Sequence, residues 1–372
     1  MKRRDFIKDG MLAAAALAGS PVYAAADDFL ERKSRHREES PSAGFHFKED
    51  GTFKLLQLTD THHIAGDPRS ERSRRLIPWI LDTERPDLVI HTGDIFYSED
   101  IRASLQEVFG PLAARNIPFA AVLGNHDAQF GMTREEVMEE IRRISGCVNG
   151  RPDKGINGAS NDVLTLSGPD GIERVFYLLD SGDNVTFPGF PERFRYDYIH
   201  RDQIEWYREW SRKLGRVPAT MFFHIPLREI AEGLISEERT LVGTAGEFPC
   251  PADKNSGLLL AAMECGDVDS FVYGHDHDCD YVLLHDGMLH IYGRYSGGNT
   301  EYNHLGAGGM TDPDAPQNAD PPGEDHRLSG ARVFEFRSGE LEFRTWIRLW
   351  GGQVIHPLTL SRGKIVQDQR FL

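Results

Sequence analysis

The sequence predicts an α/β fold in which a mostly parallel sheet is followed by strands that need a second sheet. Two patterns indicate this. Between residues 53 and 145, short apolar runs alternate with helical stretches, as they do in β–α–β units. After residue 161, β-rich runs come in pairs around turn residues, which is typical of hairpins.

The first half supplies three strands, each followed by a helix. Runs such as FKLLQLT and DLVIHT are short, apolar and bounded by polar residues. We predict strands at 53–59, 87–94 and 117–127 and helices at 71–83, 100–115 and 133–145. A βαβαβ beginning of this kind implies parallel strands with helices outside them.

The second half mixes hairpins with further strands and helices. A GPDG turn, an HDG turn and an SG pair each separate two β-rich runs. We predict hairpins at 161–180, 281–293 and 331–349, helices at 201–214 and 256–266, and strands at 219–224 and 269–275. Trp206, Tyr207 and Trp210 have helical spacing within their helix and are expected to pack in the core.

These elements define one domain over residues 51–350. The charged stretch at 27–50 has no periodicity and is predicted to be a linker into the domain. Residues 351–372 carry no informative pattern and are treated as a C-terminal tail.

The N-terminal residues 1–26 have the order of an export signal, with a basic head, an Ala-rich apolar middle and small residues at the end. Arg3 and Arg4, followed by Phe6 and Lys8, resemble the twin-arginine class of bacterial signals; an ordinary secretory signal is the alternative. The apolar stretch is too short and too rich in alanine for a stable membrane span. We therefore expect a periplasmic or secreted protein.

Composition narrows the range of partners. The chain of 372 residues has a net charge of −16, and removing residues 1–26, whose four basic and two acidic side chains sum to +2, would leave −18. So acidic a protein repels polyanions, which argues against nucleic acid or an anionic membrane as the main partner. The cysteines allow three disulfide pairings and favour none of them: Cys147, Cys250, Cys265 and Cys279.

Polar residues follow five of the predicted strands directly. The carboxyl ends of strands in open α/β sheets are where ligands bind. Two Asp, one Asn and four His are brought to this edge, and they are Asp60, His62, Asp94, Asn125, His224, His275 and His277. His126 and Asp127 follow Asn125 in the motif GNHD. Each short motif alone is weak evidence, but the whole series in order indicates one site.

The donor types indicate a metal centre. Oxygen and imidazole ligands without thiolate suit Zn, Mn or Fe. Seven side chains exceed the usual demand of one ion, so two ions sharing a carboxylate fit better. His275 and His277 alternate along an extended segment, which allows one to face each ion.

The set DTH, GD, GNHD, H and GHDH resembles the calcineurin-like metallophosphoesterase superfamily, which includes purple acid phosphatases. The resemblance covers roughly residues 53–295, and stretches such as YLLDSGD and YGHDHDCD look closest to a purple-acid-phosphatase-like branch. The family implies a four-layer α/β/β/α sandwich of two mixed sheets flanked by helices, with a dinuclear site in the strand-end loops.

The resemblance also implies a role for each residue. Asp60, His62, Asp94 and His277 would hold one ion. Asp94, Asn125, His224 and His275 would hold the other, with Asp94 bridging. His126 would face the substrate phosphate as an acid or electrostatic stabiliser, and Asp127 would orient it.

The implied chemistry is hydrolysis of a small phosphate ester by a hydroxide held between the two ions. A phosphodiesterase or nucleotidase would use the same site, and a non-catalytic metal-binding protein is an alternative of another class. The identity of the ions, Fe, Mn or Zn, stays open.

Three further residues lie near the motifs. Tyr97 in GDIFY matches the tyrosine that binds ferric iron in purple enzymes, but those have DxG where this chain has Asp60-Thr61-His62. We therefore predict that His62 replaces the tyrosinate and that Tyr97 does not coordinate. Arg294 is expected either to contact phosphate or to lie on the surface, and His63 to lie in an outer layer or in solvent.

Overall fold

We describe a computed structural model whose residues 40–186, 195–297 and 328–367 are placed. The predicted export signal, residues 27–39 of the predicted linker and residues 298–327 lie outside these ranges. The described residues from Ser42 onwards belong to one compact unit. None of the helices in the described ranges combines the length and apolar character that crossing a bilayer requires.

Six α-helices lie within the described ranges. They are α1 (Glu71–Glu84), α2 (Ile101–Ala113), α3 (Arg134–Arg142), α4 (Arg201–Lys213), α5 (Glu229–Ile235) and α6 (Leu258–Cys265). Side chains cap two of the early helices: Asp100 accepts a hydrogen bond from the Ala103 amide, and Thr133 forms a capping box with Glu136.

Seventeen strands alternate with the helices. They are β1 (Ala43–His46), β2 (Thr52–Leu58), β3 (Leu88–Thr92), β4 (Phe119–Val122), β5 (Asp162–Gly168), β6 (Gly171–Leu178), β7 (Asn184–Val185), β8 (Arg195–Tyr196), β9 (Ala219–Phe222), β10 (Thr240–Val242), β11 (Val268–Tyr273), β12 (Val282–His285), β13 (Met288–Tyr292), β14 (Gly330–Arg337), β15 (Phe343–Leu349), β16 (Val354–Ser361) and β17 (Lys364–Gln367).

The strands form two large mixed sheets and one short ribbon. The first sheet has the order β1-β5-β6-β9-β11-β13-β12-β10, and the second has the order β17-β16-β15-β14-β2-β3-β4. β2, β3 and β4 run parallel, and so do β6, β9 and β11. β7 and β8 pair only with each other. Each large sheet therefore presents a group of parallel carboxyl ends.

Three apolar clusters show how the layers pack. The middle cluster joins the inner faces of the two sheets, with Leu55 and Ile90 from one and Phe176 and Val272 from the other. A second cluster packs α1, α2 and α3 on the outer face of the β2–β4 sheet. A third packs α4 and α6 on the outer face of the other sheet, and it contains Tyr207 and Trp210 as predicted. The four-layer α/β/β/α sandwich is confirmed.

Two predicted boundaries differ from the structure. β1 lies inside the stretch assigned to the linker and pairs in parallel with β5. β16 and β17 lie inside the stretch assigned to the tail and extend the second sheet beyond β15. β1 and β17 are edge strands, and β16 buries only Leu358 and Leu360, so the apolar pattern of these strands is faint.

The cysteines are free thiols. Cys265 and Cys279 are buried, and Cys147 and Cys250 are half-buried. No disulfide therefore contributes to this fold among the four cysteines, all of which lie in the described ranges.

Candidate metal centre

The predicted ligands converge where parallel strands of both sheets end. The loops after β2 and β3 continue to pair beyond the strands. The Asp60 amide donates to the Gly93 carbonyl at 3.0 Å, and the His62 amide donates to the Asp94 carbonyl at 3.0 Å. This pairing holds the first ligands of the series side by side.

Four of the predicted ligands have positive φ, which non-glycine residues adopt rarely. The angles are 50° for Asp60, 44° for His62, 52° for Asp94 and 82° for His275. Such conformations cost about 1–3 kcal/mol each and concentrate at functional sites. The fold therefore stores strain at the strand ends in order to direct these side chains inwards.

The glycines of the GD and GNHD motifs allow the loops to approach closely. A Cβ on Gly93 would lie 2.7 Å from His224 Nδ1, and one on Gly124 would lie 2.1 Å from Asp94 Oδ1. Any side chain at either position would displace a ligand. The motifs therefore need glycine because of the space that the ligands take up.

Asp60, His62, Asp94 and His277 form one group of buried ligand atoms, all within 4.8 Å of one another. His62 Nε2 lies 3.2 Å from His277 Nε2 and 3.6 Å from Asp94 Oδ2. His277 Nε2 lies 3.5 Å from Asp60 Oδ1. These separations suit donors that surround a single ion at about 2.0–2.2 Å.

Asp94, His224 and His275 form the second group. His224 Nε2 lies 3.2 Å from Asp94 Oδ2 and 3.3 Å from His275 Nδ1. Asn125 sits between Gly124 and His126, both of which contact Asp94. Its buried Oδ1 has no hydrogen-bond partner within the described part of the chain, as expected of an atom that serves as a metal ligand.

Asp94 is common to both groups through one oxygen. Its Oδ2 faces His62 on one side and His224 on the other. Its Oδ1 is occupied by the His126 amide, which donates to it at 2.9 Å. Six of the seven predicted ligands thus fall into these two groups, with Asp94 in both, and Asn125 precedes the residue whose amide binds Asp94.

A model of the calcineurin-like phosphoesterase family matches residues 53–279, a range that contains all seven predicted ligands. The chain belongs to this family. The purple-acid-phosphatase-like resemblance is also confirmed. A protein of Arabidopsis thaliana named probable inactive purple acid phosphatase 14 is 30% identical over 333 residues, covering 78% of this chain and 79% of that protein.

Two further proteins are similar to this chain. The phosphatase DCR2 of Saccharomyces cerevisiae is 27% identical and covers 82% of this chain, which spans 54% of that protein. A crystal structure of a dimetal phosphatase from Danio rerio superposes with a TM-score of 0.56 at 14% identity, covering 83% of this chain and 99% of the other. At that identity the likeness shows the shared fold alone.

Around the ligands, backbone groups fix the orientation of the rings in this calcineurin-like phosphoesterase. His224 Nδ1 donates to the Thr92 carbonyl at 2.7 Å, which leaves Nε2 as the nitrogen that faces Asp94. The Thr61 hydroxyl, between two ligands, lies 2.6 Å from His91 Nε2 on β3. His91 was not among the predicted site residues, although its position on the strand that leads into Asp94 was a usable signal.

The predicted role of Asp127 needs correction. Its carboxylate accepts hydrogen bonds from the amides of Gly124, Asp94 and Ile95 at 2.8, 3.0 and 2.8 Å. It therefore ties the two ligand loops together and does not orient His126. The partner of His126 is Gln129, whose Oε1 lies 2.9 Å from His126 Nδ1. The adjacency of His and Asp in the motif suggested a contact, but the Asp127 carboxylate faces backbone amides instead.

Two neighbouring residues are also placed by the structure. Arg294 is buried and pairs with Asp280 at 2.8 Å, so it is not a surface residue. His63 is buried between Ser73 Oγ at 2.8 Å and Glu107 Oε2 at 2.7 Å, which places it in an outer layer of the site.

The electrostatics of the site favour cations. Burial lowers the pKa of His62 and of His275 to about 3, so both rings are neutral and able to coordinate at neutral pH. Burial also opposes a charge on His224, but Asp94 and Asp60 outweigh it and raise its pKa to about 9. A bound ion would take the place of that proton between the carboxylates.

We expect metal binding to release protons at neutral pH. Below about pH 9 the metal-free His224 carries a proton that an ion must expel, so metal affinity should rise as the pH increases from 6 to 8. Calorimetric titration of Zn²⁺ into metal-free protein, in two buffers of different ionisation enthalpy, would measure the protons released. A binding enthalpy that is the same in both buffers at pH 7 would contradict this expectation.

Tyr97 stands beside the site without a described link to the ligand atoms. Its ring packs edge-on against His126 at 5.4 Å and Phe130 at 4.8 Å between centroids, and it lies 6.2 Å from the His62 ring. Since Asp60, His62, Asp94 and His277 already supply four donors, a phenolate is not needed. That Tyr97 does not coordinate a metal ion stays a prediction, and the following experiment tests it.

Tyr97→Phe should retain two ions per chain and most of the activity, and the iron-loaded wild type should be colourless or pale. Metal analysis and a visible spectrum of both proteins would check this. A strong visible band in the wild type that vanishes in the variant would show that the tyrosinate binds iron.

Proposed function

We propose that this protein is an exported hydrolase of small phosphate esters that works with two metal ions. The proposal depends on one observation: Asp94 Oδ2 lies between the two ligand groups, 3.6 Å from His62 Nε2 and 3.2 Å from His224 Nε2. One carboxylate oxygen between two sets of imidazole donors is the arrangement that a pair of bridged ions requires.

The residues fit Fe, Mn or Zn, because the donors are imidazole, carboxylate and amide oxygen without thiolate. When bound, two such ions would supply an activated water and neutralise charge on the transferred phosphoryl group. The chain itself buries the ligand side chains and leaves the partly exposed His126 on the side from which a substrate could approach.

His126 is suited to act on the substrate. Its side chain is 25% exposed, while the Asp94 side chain beneath it is 1% exposed. Its Nε2 lies 4.0 Å from Asp94 Oδ2, and its Nδ1 is held by Gln129. Because Gln129 Oε1 can only accept, Nδ1 carries the proton of this hydrogen bond, and Nε2 can donate a hydrogen bond or a proton to an ester oxygen at the two-ion centre when the ring is the imidazolium.

Export is supported by the order of basic, apolar and small residues in the first 26 positions. Arg3 and Arg4 lie in the basic head of the predicted signal. Replacing both with lysine should retain the protein in the cytoplasm if the twin-arginine route carries it. Unchanged export would favour the ordinary secretory route, and a wild-type protein found only in the cytoplasm would reject export.

A non-catalytic metal-binding protein is the alternative from another class. The Arabidopsis relative named as probably inactive gives this alternative weight. Against it stand the two groups of buried donor atoms that share Asp94, and His126 beside them. A protein that only bound metal would have no use for a partly exposed histidine above the bridging carboxylate.

Turnover of p-nitrophenyl phosphate and of bis-p-nitrophenyl phosphate tests the proposal directly. The protein would be loaded separately with Mn, Fe and Zn, and the metal content would be measured before each assay. Hydrolysis of the monoester supports a phosphatase, whereas preference for the diester would favour the phosphodiesterase alternative. A protein with two ions that hydrolyses neither compound would be the non-catalytic alternative.

A further inference from the structure

A buried ion pair lies behind the loop that carries Asn125. Arg134, the first residue of α3, reaches back to this loop. Its Nη1 donates to the Gly124 carbonyl at 2.7 Å, and its Nη2 donates to the Leu123 carbonyl at 3.3 Å. The same Nη2 pairs with Asp180 Oδ1. The guanidinium therefore holds the two carbonyls that immediately precede a predicted ligand.

Asp180 anchors this guanidinium to the end of β6. Its side chain is fully buried, and its Oδ2 accepts hydrogen bonds from the Ala159 and Ser160 amides at 2.8 and 3.2 Å. Its Oδ1 also accepts from the Gly182 amide at 3.0 Å. A carboxylate with this many donors cannot move without breaking several bonds, so it is a rigid support.

Asp180 also supports the Leu123–Gly124 backbone through Ser160. Ser160, whose amide binds Asp180, accepts a hydrogen bond at its Oγ from the Leu123 amide at 3.1 Å. Leu123 is therefore fixed at both its amide and its carbonyl. Next to Asp180, Ser181 Oγ accepts from the Ile225 amide at 2.9 Å, directly after the ligand His224.

These contacts concern one of the two ligand groups. Asn125 and His224 belong to the second group. The residues that follow β6 support the loop that carries Asn125 and the loop that carries His224. Apart from their bond to each other, the hydrogen bonds of Arg134 go to the Leu123 and Gly124 carbonyls, and those of the Asp180 carboxylate come from the Ala159, Ser160 and Gly182 amides, all outside the loops that carry Asp60, His62 and His277. Loss of the pair should therefore loosen the second group while the first keeps its support.

We propose that Arg134 and Asp180 are positioning residues for the second metal ion, holding the Leu123–Gly124 backbone so that Asn125 stays in place beside Asp94. The inference rests on the two-ion site proposed above. It assigns to the ion pair a role in metal affinity that is separate from its contribution to folding.

Metal titration of the full-length protein tests this. Zn²⁺ would be titrated into metal-free wild type, Arg134→Lys and Arg134→Met, and the two dissociation constants resolved by calorimetry and dialysis with metal analysis. Arg134→Met should weaken the second ion about 10–100-fold and the first less than about threefold, since residues behind the ligands have effects of this size. Arg134→Lys keeps the charge but reaches fewer carbonyls, so its loss should be intermediate, about tenfold.

Arg174 offers a matched control. It is buried and pairs with Asp269 at 2.8 Å. Arg174 lies on β6 and Asp269 on β11, each towards the amino end of its strand and therefore far from the site. Arg174→Lys and Arg174→Met should lower the melting temperature and leave both zinc affinities unchanged. If Arg134→Met does not fold, Arg134→Lys decides the question.

The outcomes separate this inference from the proposed function. Wild type that binds two ions, with variants at Arg134 that bind the second as tightly or lose both equally, would overturn the positioning role alone. Wild type that binds only one ion would overturn the two-ion site and the positioning role with it.

Discussion

Replacing Asp94 with asparagine should cost the protein at least one metal ion and nearly all of its hydrolytic activity. Asp94 Oδ2 lies close to both His62 Nε2 and His224 Nε2, at 3.6 and 3.2 Å. An amide has the same shape but carries no charge, so neither ion keeps the anion that joins the two groups. We expect a fall in kcat/KM of about 10³-fold or more, which is about 4 kcal/mol of transition-state stabilisation.

Metal analysis and phosphatase assays on Asp94→Asn and wild type would measure both effects. Asp162→Asn is a suitable control, because Asp162 is also a buried carboxylate with backbone donors but lies at the start of β5. The control should retain two ions. Two ions per chain in Asp94→Asn would rule out the bridging assignment, whatever the activity.

The ligands could be predicted from the sequence because their positions follow from the topology. Asp60, Asp94 and Asn125 each come within a few residues of the end of a parallel strand, and parallel strands deliver their carboxyl ends to one edge. The packing of the two sheets then brings His224 and His275 to the same place. No long-range contact had to be known in advance.

The supports of the site could not be predicted in the same way. Arg134 and Asp180 are separated by 46 positions, and neither follows a motif that specifies a partner. Asp127 was given the wrong partner because its carboxylate turns towards backbone amides of the neighbouring loop. Such contacts depend on how loops fold past the strand ends, and local sequence patterns do not determine that.

The edges of the sheets were missed for a related reason. β1 and β17 are four-residue strands with exposed positions, and each depends on a neighbour for its hydrogen bonds. Short strands of this kind have little apolar periodicity of their own. Their conformation is imposed by β5 and β16, so the stretches that contain them look like a linker and a tail.

His126→Ala should retain both ions and lose most of its turnover. The link from residue 126 to the metal centre is its backbone amide, which donates to Asp94 Oδ1 at 2.9 Å and is retained in alanine. The imidazole is partly exposed and is held by Gln129 on the side away from Nε2. Loss of a positioned acid typically costs about 10²–10⁴-fold in rate. Metal analysis with kcat measurements would check this, with the exposed His46→Ala as a control.

The leaving group decides what His126 contributes. If its ring protonates the departing oxygen, dinitrophenyl phosphate, whose leaving group needs no proton, should be hydrolysed by His126→Ala nearly as fast as by wild type, while phenyl phosphate should show the full loss. If the ring acts by stabilising charge on the phosphoryl group, both esters should lose similar factors. Loss of a metal ion from the variant would instead make His126 a ligand and would contradict the assignment of the seven others as the complete set.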